Sequence, residues 1–476
     1  MTTAPWSSSF ARQGKMQATV ILSNNNIPKK VDLKGPVLRG GEASVCFSKD
    51  GRYVVKLYHN QNAKKERQKR LEKVLELGLT LGNNKRYLCW PEGIVTRLDN
   101  KAVIGCIVPR VNGNSRELVD FIFSPKQAAE QFKKGRNWAD YLRIARLMTH
   151  SVVVIHSMGC AHADLHFKNY LCELASGLSV LIDLDGLVIR GLLPPNVDGM
   201  TGFMAPEIVL GKEQPQEITD RHSLAVLLFH TLLFRNPLQP LVTYDDKNQA
   251  NDDRLSWGKF ALFSEHPSDY QNRPKTLGQP LFRQGALSYL MLTPSLQKLI
   301  REAFVNGLHD PEKRPLAKEW ESALAETIDN LWQCYCCRQY FPYPYWLCPK
   351  QRRTCPFCGT RCTPPFPAVL GLYEPVRDNY FMPTSRHLVI GHGWSLFDDM
   401  VRTRTDPPLS RATSKIIGQV QLKNDDYWLR NHGKNAWLVF LGEERQKIPC
   451  GAAVRLQPNL RICFGQDRRL VSVMEG

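Results

Sequence analysis

The stretch HADLHFKNYLCELASGLSVLIDLDG, residues 162–186, decides how this chain is interpreted. Asp164 is followed by Asn169, and the apolar run LSVLID, which has the pattern of a buried strand, ends at Asp183. Carboxylate and amide oxygens at such positions are ligands that Mg²⁺ prefers. The alternative interpretation is that Asp164 and Asn169 are turn formers, a common use of these residues in loops. The surrounding sequence decides between the two.

Length and composition place the chain among globular proteins. It has 476 residues, of which 43% are hydrophobic and 23% charged; this length allows about two to four domains. No apolar run reaches the roughly 18 residues of a membrane span, and the N-terminus lacks the apolar core of a secretion signal, so we expect a cytoplasmic protein. The net charge of +18 favours an acidic partner, such as nucleic acid, a membrane surface or an acidic protein.

Further motifs flank the opening stretch in a fixed order. VLRGGEASVCF contains a Gly-Gly turn, RYVVKLY is a strand that carries Lys56, and GMTGFMAPE, DRHSLAVLLFHTLL and DPEKRPLAKEW follow downstream. With the opening stretch they resemble a eukaryotic-type Ser/Thr protein kinase domain of the bacterial kind, over residues 35–325. The resemblance implies an α+β, bilobal protein-kinase fold and an enzyme that transfers the γ-phosphate of ATP to a Ser or Thr hydroxyl.

The resemblance also implies roles for the residues at the matching positions. Asp164 would position the acceptor hydroxyl, with His166 where the family has a lysine. Asn169 and Asp183 would hold Mg²⁺, and Asp185 is a further candidate ligand.

Nucleotide binding and structural support have their own candidates. Lys56 would hold the α- and β-phosphates and pair with Glu72, Glu66 and Glu76 being the alternatives. The remaining candidate ATP-binding residues are Gly40, Gly41, Val45, Pro109 and Val111. The candidate structural residues are Asp220, which would tie down the catalytic loop, and a buried ion pair of Glu207 with Arg314.

Departures from the family pattern leave three classes of function. Leu38 and Ala43 replace the outer glycines of the phosphate loop, His166 replaces lysine, and Asp-Leu-Asp replaces Asp-Phe-Gly. The classes are an active protein kinase, a small-molecule kinase and a catalytically weak or dead kinase-fold scaffold. The APE motif, Asp220 and Arg314 argue against the second class. The retained Lys56 and metal-ligand residues favour the first, with the scaffold as the alternative.

Seven of the 14 cysteines lie between Cys334 and Cys362. The pairs Cys334/Cys337 and Cys355/Cys358 have the spacing of two zinc knuckles. We therefore predict one structural Zn²⁺, with Cys336, Cys348 and Cys362 as spare thiols. The region has five Lys or Arg and no acidic residue, which permits a nucleic-acid partner, but we interpret its aromatic run YFPYPYW as a packing face.

Short apolar runs broken by turns fill residues 366–476, a pattern typical of a small all-β sandwich. Their order resembles that of a forkhead-associated domain, which binds phosphopeptides. The phosphate-reading motifs of that family are absent, and Ser385 and Arg386 are the remaining candidates. We expect a degenerate interaction domain.

The predicted parts are an N-terminal segment (1–30), a protein kinase domain (31–328), a zinc ribbon (329–365) and a degenerate, forkhead-associated-like all-β domain (366–476). Bacterial kinases with a ribbon after the kinase domain resemble this layout. That resemblance implies, besides a protein substrate, a von Willebrand A-domain partner and a metal-dependent protein phosphatase, encoded in tellurite-resistance-type gene neighbourhoods.

Regulation by phosphorylation of the activation segment is not expected. Between Asp183 and Glu207 the segment contains no Ser or Tyr and one Thr, Thr201, and Ala163 stands where many kinases have the arginine that receives a phosphate.

Overall fold

The computed structural model describes residues 16–23, 25–39, 41–60, 64–111, 113–197, 199–347, 354–377, 380–403, 408–409, 414–465 and 468–474. Helices make up 31% and strands 30% of the chain. The paired strands of its sheets are antiparallel, so the predicted α+β class is confirmed. The chain divides into two compact units, the first built from residues 1–120, 147–227 and 243–261, and the second from residues 121–146, 228–242 and 262–476.

The described part of the first unit begins with six strands, β1 (Met16–Leu22), β2 (Asn25–Arg39), β3 (Ala43–Ser48), β4 (Tyr53–Tyr58), β5 (Gly93–Leu98) and β6 (Lys101–Pro109). They close into a barrel in the order β1-β2-β3-β4-β6-β5. Alternate side chains, such as Ala18, Val20, Val31 and Leu33, point into one buried apolar cluster. Strand β1, which lies within the predicted N-terminal segment (1–30), pairs with both β2 and β5 and so completes the barrel.

Helix α1 (Lys64–Gly78) packs on the outside of this barrel. Leu71 and Leu75 share an apolar cluster with strand residues that include Ile94 and Ile104. The helix is amphipathic, because its buried residues recur one helical turn apart.

Five short strands complete the first unit: β7 (Arg116–Glu117), β8 (Cys160–Ala161), β9 (Tyr170–Glu173), β10 (Leu178–Leu181) and β11 (Val188–Ile189). Strands β9 and β10 form a hairpin, and β8 pairs with β11. The other helices among the described residues are α2 (Val119–Ile122), α3 (Pro125–Lys133), α4 (Trp138–Ser157), α5 (Pro206–Val209), α6 (Glu217–Leu233), α7 (Gln249–Arg254), α8 (Pro294–Arg301), α9 (Ala317–Asp329) and α10 (Asp398–Val401).

Short 3₁₀ turns link several of these elements, at Gly82–Tyr87, Phe167–Asn169, Leu184–Gly186, Leu281–Arg283, Tyr289–Met291 and Pro311–Lys313, and π-helical turns lie at Leu255–Lys259 and Glu302–Asn306. In the second unit, β12 (Leu331–Gln333) pairs with β13 (Tyr340–Pro342) beside the cysteine cluster.

Ten further strands lie in the part of the second unit that the structure describes. They are β14 (Ala368–Arg377), β15 (Tyr380–Ile390), β16 (Ser395–Phe397), β17 (Ile416–Lys423), β18 (Asp426–Asn431), β19 (Trp437–Leu441), β20 (Glu444–Ile448), β21 (Ala453–Arg455), β22 (Arg461–Cys463) and β23 (Leu470–Val473). They form a six-stranded sheet, β15-β14-β23-β22-β19-β20, and a four-stranded sheet, β16-β17-β18-β21. Both sheets contribute to one buried cluster that contains Leu370, Val420 and Trp437.

Candidate active site

A buried aspartate holds the backbone of the loop that carries Asp164. Asp220 of α6, only 1% exposed, accepts hydrogen bonds from the backbone N–H groups of His162 (2.6 Å) and Ala163 (3.0 Å). Ala163 has a φ of 71°, a conformation that residues other than glycine rarely adopt. The two bonds to one carboxylate stabilise this conformation. They are the contacts that the sequence predicted for Asp220.

Asp164 shares a hydrogen-bonded group with His166 and Asn169. The Nδ1 atom of His166 accepts from the backbone N–H of Lys168 (3.1 Å), so the ring proton is assigned to Nε2, which lies 3.3 Å from the Asp164 carboxylate. Burial raises the pKa of Asp164, but the hydrogen bond from His166 and the further polar neighbours outweigh it, and the pKa lies below its ordinary value. Asp164 is therefore an ionised carboxylate, 25% exposed, at the surface of the loop.

Asn169 and Asp183 meet at one end of the β9–β10 hairpin. The carbonyl of Asn169 accepts from the backbone N–H of Ile182 (2.9 Å), which places Asp183 one residue beyond this pair. The Asn169 Nδ2 donates to the carbonyl of Asp164 (2.8 Å), so its Oδ1 is left as the oxygen available to a ligand. Asp183 has a φ of 65° and a side chain 44% exposed. An amide oxygen and an accessible carboxylate are a donor set that suits Mg²⁺.

Lys56 of β4 pairs with both carboxylates of the Asp-Leu-Asp motif. Its Nζ forms an ion pair with Asp183 and lies 3.0 Å from the carboxylate of Asp185. Burial lowers the pKa of Lys56, but the charges of Asp185 and Asp183 outweigh burial and raise it above its ordinary value. Asp185 is buried and also accepts from the Tyr58 hydroxyl. Burial raises the pKa of Asp185, but the Lys56 ammonium and the hydrogen bond from Tyr58 outweigh burial. The pKa of Asp185 therefore lies below its ordinary value.

The predicted pairing of Glu72 with Lys56 is not found among the described residues. Glu72 lies on the exposed face of α1, where its carboxylate accepts from Gln68 (2.8 Å). Glu76 pairs with Lys73, and Glu66 is exposed. The reason is geometric, because α1 turns the face that contains Leu71 and Val74 toward the protein. Asp185 takes the position beside Lys56 that the resemblance implies for a glutamate of this helix.

The described nucleotide-binding candidates Val45 and Pro109 lie on strands of the barrel that contains Lys56, and Gly41 and Val111 lie just outside strands. Val45 of β3 is directly opposite Lys56 in the β3–β4 pairing. Gly41 lies in the exposed turn before β3, and its carbonyl is 3.1 Å from the ring of His59, whereas Gly40 is outside the described residues. Pro109 ends β6, its carbonyl accepts from the Cys89 thiol (3.2 Å), and Val111 follows two residues later.

Two residues near this site were missed in the sequence. Tyr58 lies two positions after Lys56, so strand alternation places both side chains on the same face of β4. Arg70 is buried on the apolar face of α1 and bonds the segment that follows Asp185. A signal existed for each: period-two spacing from Lys56, and an arginine one helical turn before Val74.

Four cysteines of the second unit form a candidate metal centre. The sulfur atoms of Cys334, Cys337, Cys355 and Cys358 lie within 4.8 Å of one another. Two of the S–S distances are 3.8 Å (Cys334–Cys358) and 3.6 Å (Cys337–Cys355). Sulfurs at about 2.3 Å from a tetrahedral zinc ion would be about 3.8 Å apart. The predicted ligand set therefore fits a metal such as zinc, whereas Cys336 is exposed and Cys348 is outside the described residues.

Aromatic residues join this metal centre to its surroundings within the second unit. Phe357, between the last two cysteines of the set, is fully buried and contacts the rings of Phe132 (5.6 Å) and Trp138 (6.3 Å between centroids). Of the run YFPYPYW, Phe341 and Tyr343 are buried. Their burial agrees with the interpretation of this run as a packing face.

The other structural candidates have partners of their own. Arg314 is buried and donates to the carbonyls of Gly307 (2.8 Å) and Leu308 (3.1 Å), while Glu207 lies in the first turn of α5; their ion pair stays a prediction. Arg386, the candidate phosphate reader, bonds the buried Asp329 at 3.1 Å. Its guanidinium therefore already has a carboxylate partner.

Comparisons with known proteins give no match from which a function could be assigned, so a functional assignment depends on the geometry of the site. No family model matches the chain, and no curated protein matches it either. Within the part of the chain that the structure describes, no helix is both long enough and apolar enough to cross a membrane.

Proposed function

We propose that the chain is an ATP-dependent protein serine/threonine kinase whose catalytic residues lie in the first unit. The observation that carries the proposal is the group formed by Lys56, Asp164, Asn169 and Asp183, in which a lysine, an ionised carboxylate and two oxygen ligands converge from separate elements. A lysine for phosphates, two ligands for Mg²⁺ and an ionised carboxylate are the parts that phosphoryl transfer from ATP requires.

Each residue has a defined task in this proposal. The acceptor hydroxyl oxygen attacks the γ-phosphorus of ATP, the bond from that phosphorus to the bridging oxygen breaks, and ADP leaves. Asp164 accepts the hydroxyl proton, and the N–H of His166 holds the Asp164 carboxylate in place. Asn169 and Asp183 would hold Mg²⁺, which neutralises charge on the phosphate oxygens. Lys56 orients the α- and β-phosphates.

A catalytically weak or dead scaffold is the second candidate, and one observation favours it. Lys56 is already paired with two carboxylates, one of which is a predicted metal ligand. A scaffold would keep this ion-pair cluster as a structural feature, whereas an enzyme must release Asp183 to the metal. The predicted von Willebrand A-domain and phosphatase partners fit either candidate and stay predictions.

Labelled-ATP transfer to proteins that co-purify with the chain tests the proposal. We expect Mg²⁺-dependent labelling of Ser or Thr, and a decrease of about 10²- to 10⁴-fold in turnover for Asp164→Ala, the range for loss of a positioned acid–base group. Asp246→Ala, which removes an exposed carboxylate from the same unit, is the matched control and should retain wild-type turnover. Equal transfer by Asp164→Ala and wild type would reject the catalytic role.

A further inference from the structure

Arg70 connects helix α1 to the segment that follows the Asp-Leu-Asp motif. Its side chain is 5% exposed. One terminal nitrogen donates to the carbonyls of Leu187 (2.7 Å) and Gly186 (3.4 Å), and the other donates to the carbonyl of Pro194 and to Asn196 Oδ1 (3.1 Å). One side chain thus holds two parts of the segment that are separated in sequence.

The segment between these contact points is a compact turn. The backbone N–H of Leu193 donates to the carbonyl of Ile189 (2.8 Å), and Gly191 supplies the positive φ of 75° that such a reversal needs. Arg70 closes this turn at its base, because Leu187 precedes the turn and Pro194 follows it. The planar guanidinium, with donors at fixed angles, suits this bridging better than a single ammonium group.

The acceptors of Arg70 are uncharged. They are three backbone carbonyls and one amide oxygen, so the bonds form without an acidic or phosphorylated residue in the segment. Hydrogen bonds from an ionised donor contribute more than neutral ones. The first bonded residue, Gly186, directly follows Asp185, the partner of Lys56. A shift of α1 would therefore move the Asp185–Lys56 pair.

We propose that Arg70 is a positioning residue that ties α1 to the segment 186–196 and thereby fixes the arrangement of Asp183, Asp185 and Lys56. This inference rests on the proposed function for its effect on catalysis. The tie itself is a property of the folded chain. Helix α1 thus acts on the site through the Arg70 guanidinium. The buried carboxylate that faces Lys56 is that of Asp185, in the loop after β10.

The test compares Arg70→Met and Arg70→Lys with Lys69→Met, a control that changes the exposed neighbour on the same helix. Amide hydrogen exchange requires no activity. We expect exchange in residues 187–196 of Arg70→Met to be faster by at least about tenfold, with the β14–β23 strands unchanged. Arg70→Lys keeps the charge but cannot bridge both contact points, so it should show an intermediate increase. If Arg70→Met does not fold, the exchange of Arg70→Lys alone tests the inference.

Kinetics give the second readout. Arg70→Met should lower kcat by about 10- to 100-fold, the scale of misplaced catalytic groups, with the KM for protein acceptor unchanged. Wild-type exchange in residues 187–196 of both Arg70 variants, or an unchanged kcat in Arg70→Met, would overturn the inference. Faster exchange in a chain whose wild type transfers no phosphate would support the tie and count against the proposed function instead.

Discussion

At the scale of single residues, the candidate site is organised around Lys56 and the two acids of the loop that follows β10. Asp183 is accessible and Asp185 is buried, so the two carboxylates of one short motif are in different environments. The accessible carboxylate suits an exchangeable ligand. The buried one, with Lys56 and Tyr58 as partners, suits a fixed ion pair. We therefore interpret Asp185 as the residue that orients Lys56, in preference to a second metal ligand.

This interpretation predicts a stability effect with a defined pH dependence. The folded-state pKa of Asp185 is lower than the ordinary value of about 3.9, so its charge stabilises the fold above that value and ceases to do so as pH falls through the folded pKa. Asp185→Asn should lower the free energy of unfolding near pH 7 by about 1–3 kcal/mol. The difference from wild type should shrink below pH 4.

Urea titrations of wild type and Asp185→Asn across this pH range measure the effect. Asp246→Asn, at an exposed position in the same unit, should differ from wild type by less than about 0.5 kcal/mol at every pH. A difference between Asp185→Asn and wild type that stays constant down to the lowest pH would contradict a role for the ionised carboxylate.

The structure brings together candidate residues that the sequence singled out, but their pairing differs from the prediction. Asp164, Asn169 and Asp183 lie within one loop and hairpin, so local spacing brought them together correctly. The predicted pairing of Glu72 with Lys56 was not found, because the side of α1 that faces the protein depends on packing against the barrel. No local pattern determines that packing. Lys56 is bonded instead by Asp185, which lies 129 positions later in the sequence. No pattern within either segment predicts that contact.

At the scale of elements, the strand predictions were reliable where apolar residues ran together. RYVVKLY contains β4, LSVLID contains β10, and the short β runs after residue 366 form two sheets. Strand β1 was missed because its place in the barrel depends on pairing with β2 and β5. Pairing partners distant in sequence are set by topology, which residue patterns constrain only weakly.

The prediction at the scale of elements concerns zinc binding by the cysteine cluster. We expect one Zn²⁺ per chain, held by the four cysteines that lie within 4.8 Å. Replacing Cys355 and Cys358 by Ser should abolish stoichiometric zinc and lower the thermal unfolding midpoint, because Phe357 between them is packed against Phe132 and Trp138. Cys336→Ser changes an exposed thiol in the first knuckle and should keep both zinc and stability.

Elemental analysis of protein purified without added metal measures the zinc content, and differential scanning calorimetry measures the midpoint. Full zinc occupancy in the double variant would reject these ligands. Loss of zinc with an unchanged midpoint would retain the ligands but reject a structural role for the metal.

At the scale of the whole molecule, the proposed chemistry and the candidate metal centre lie in different units. The first unit contains Lys56, Asp164 and their neighbours, and the second contains the cysteine cluster and the ten-stranded β region. The only Ser, Thr or Tyr between Asp183 and Glu207 is Thr201. Ala163 offers no cation to a phosphate, and Arg70 already holds the segment through neutral acceptors. Nothing in this arrangement requires a phosphate for order.

We therefore predict that activity does not depend on phosphorylation of the activation segment and that control is exerted through the second unit or a partner. Active protein should carry no stoichiometric phosphate on Thr201 by mass spectrometry, and treatment with a phosphatase should leave its turnover unchanged. A parallel sample with inhibited phosphatase controls for handling. Stoichiometric phosphate on Thr201 together with loss of activity after its removal would show that the segment is switched covalently, and that the hydrogen bonds of Arg70 do not suffice to order it.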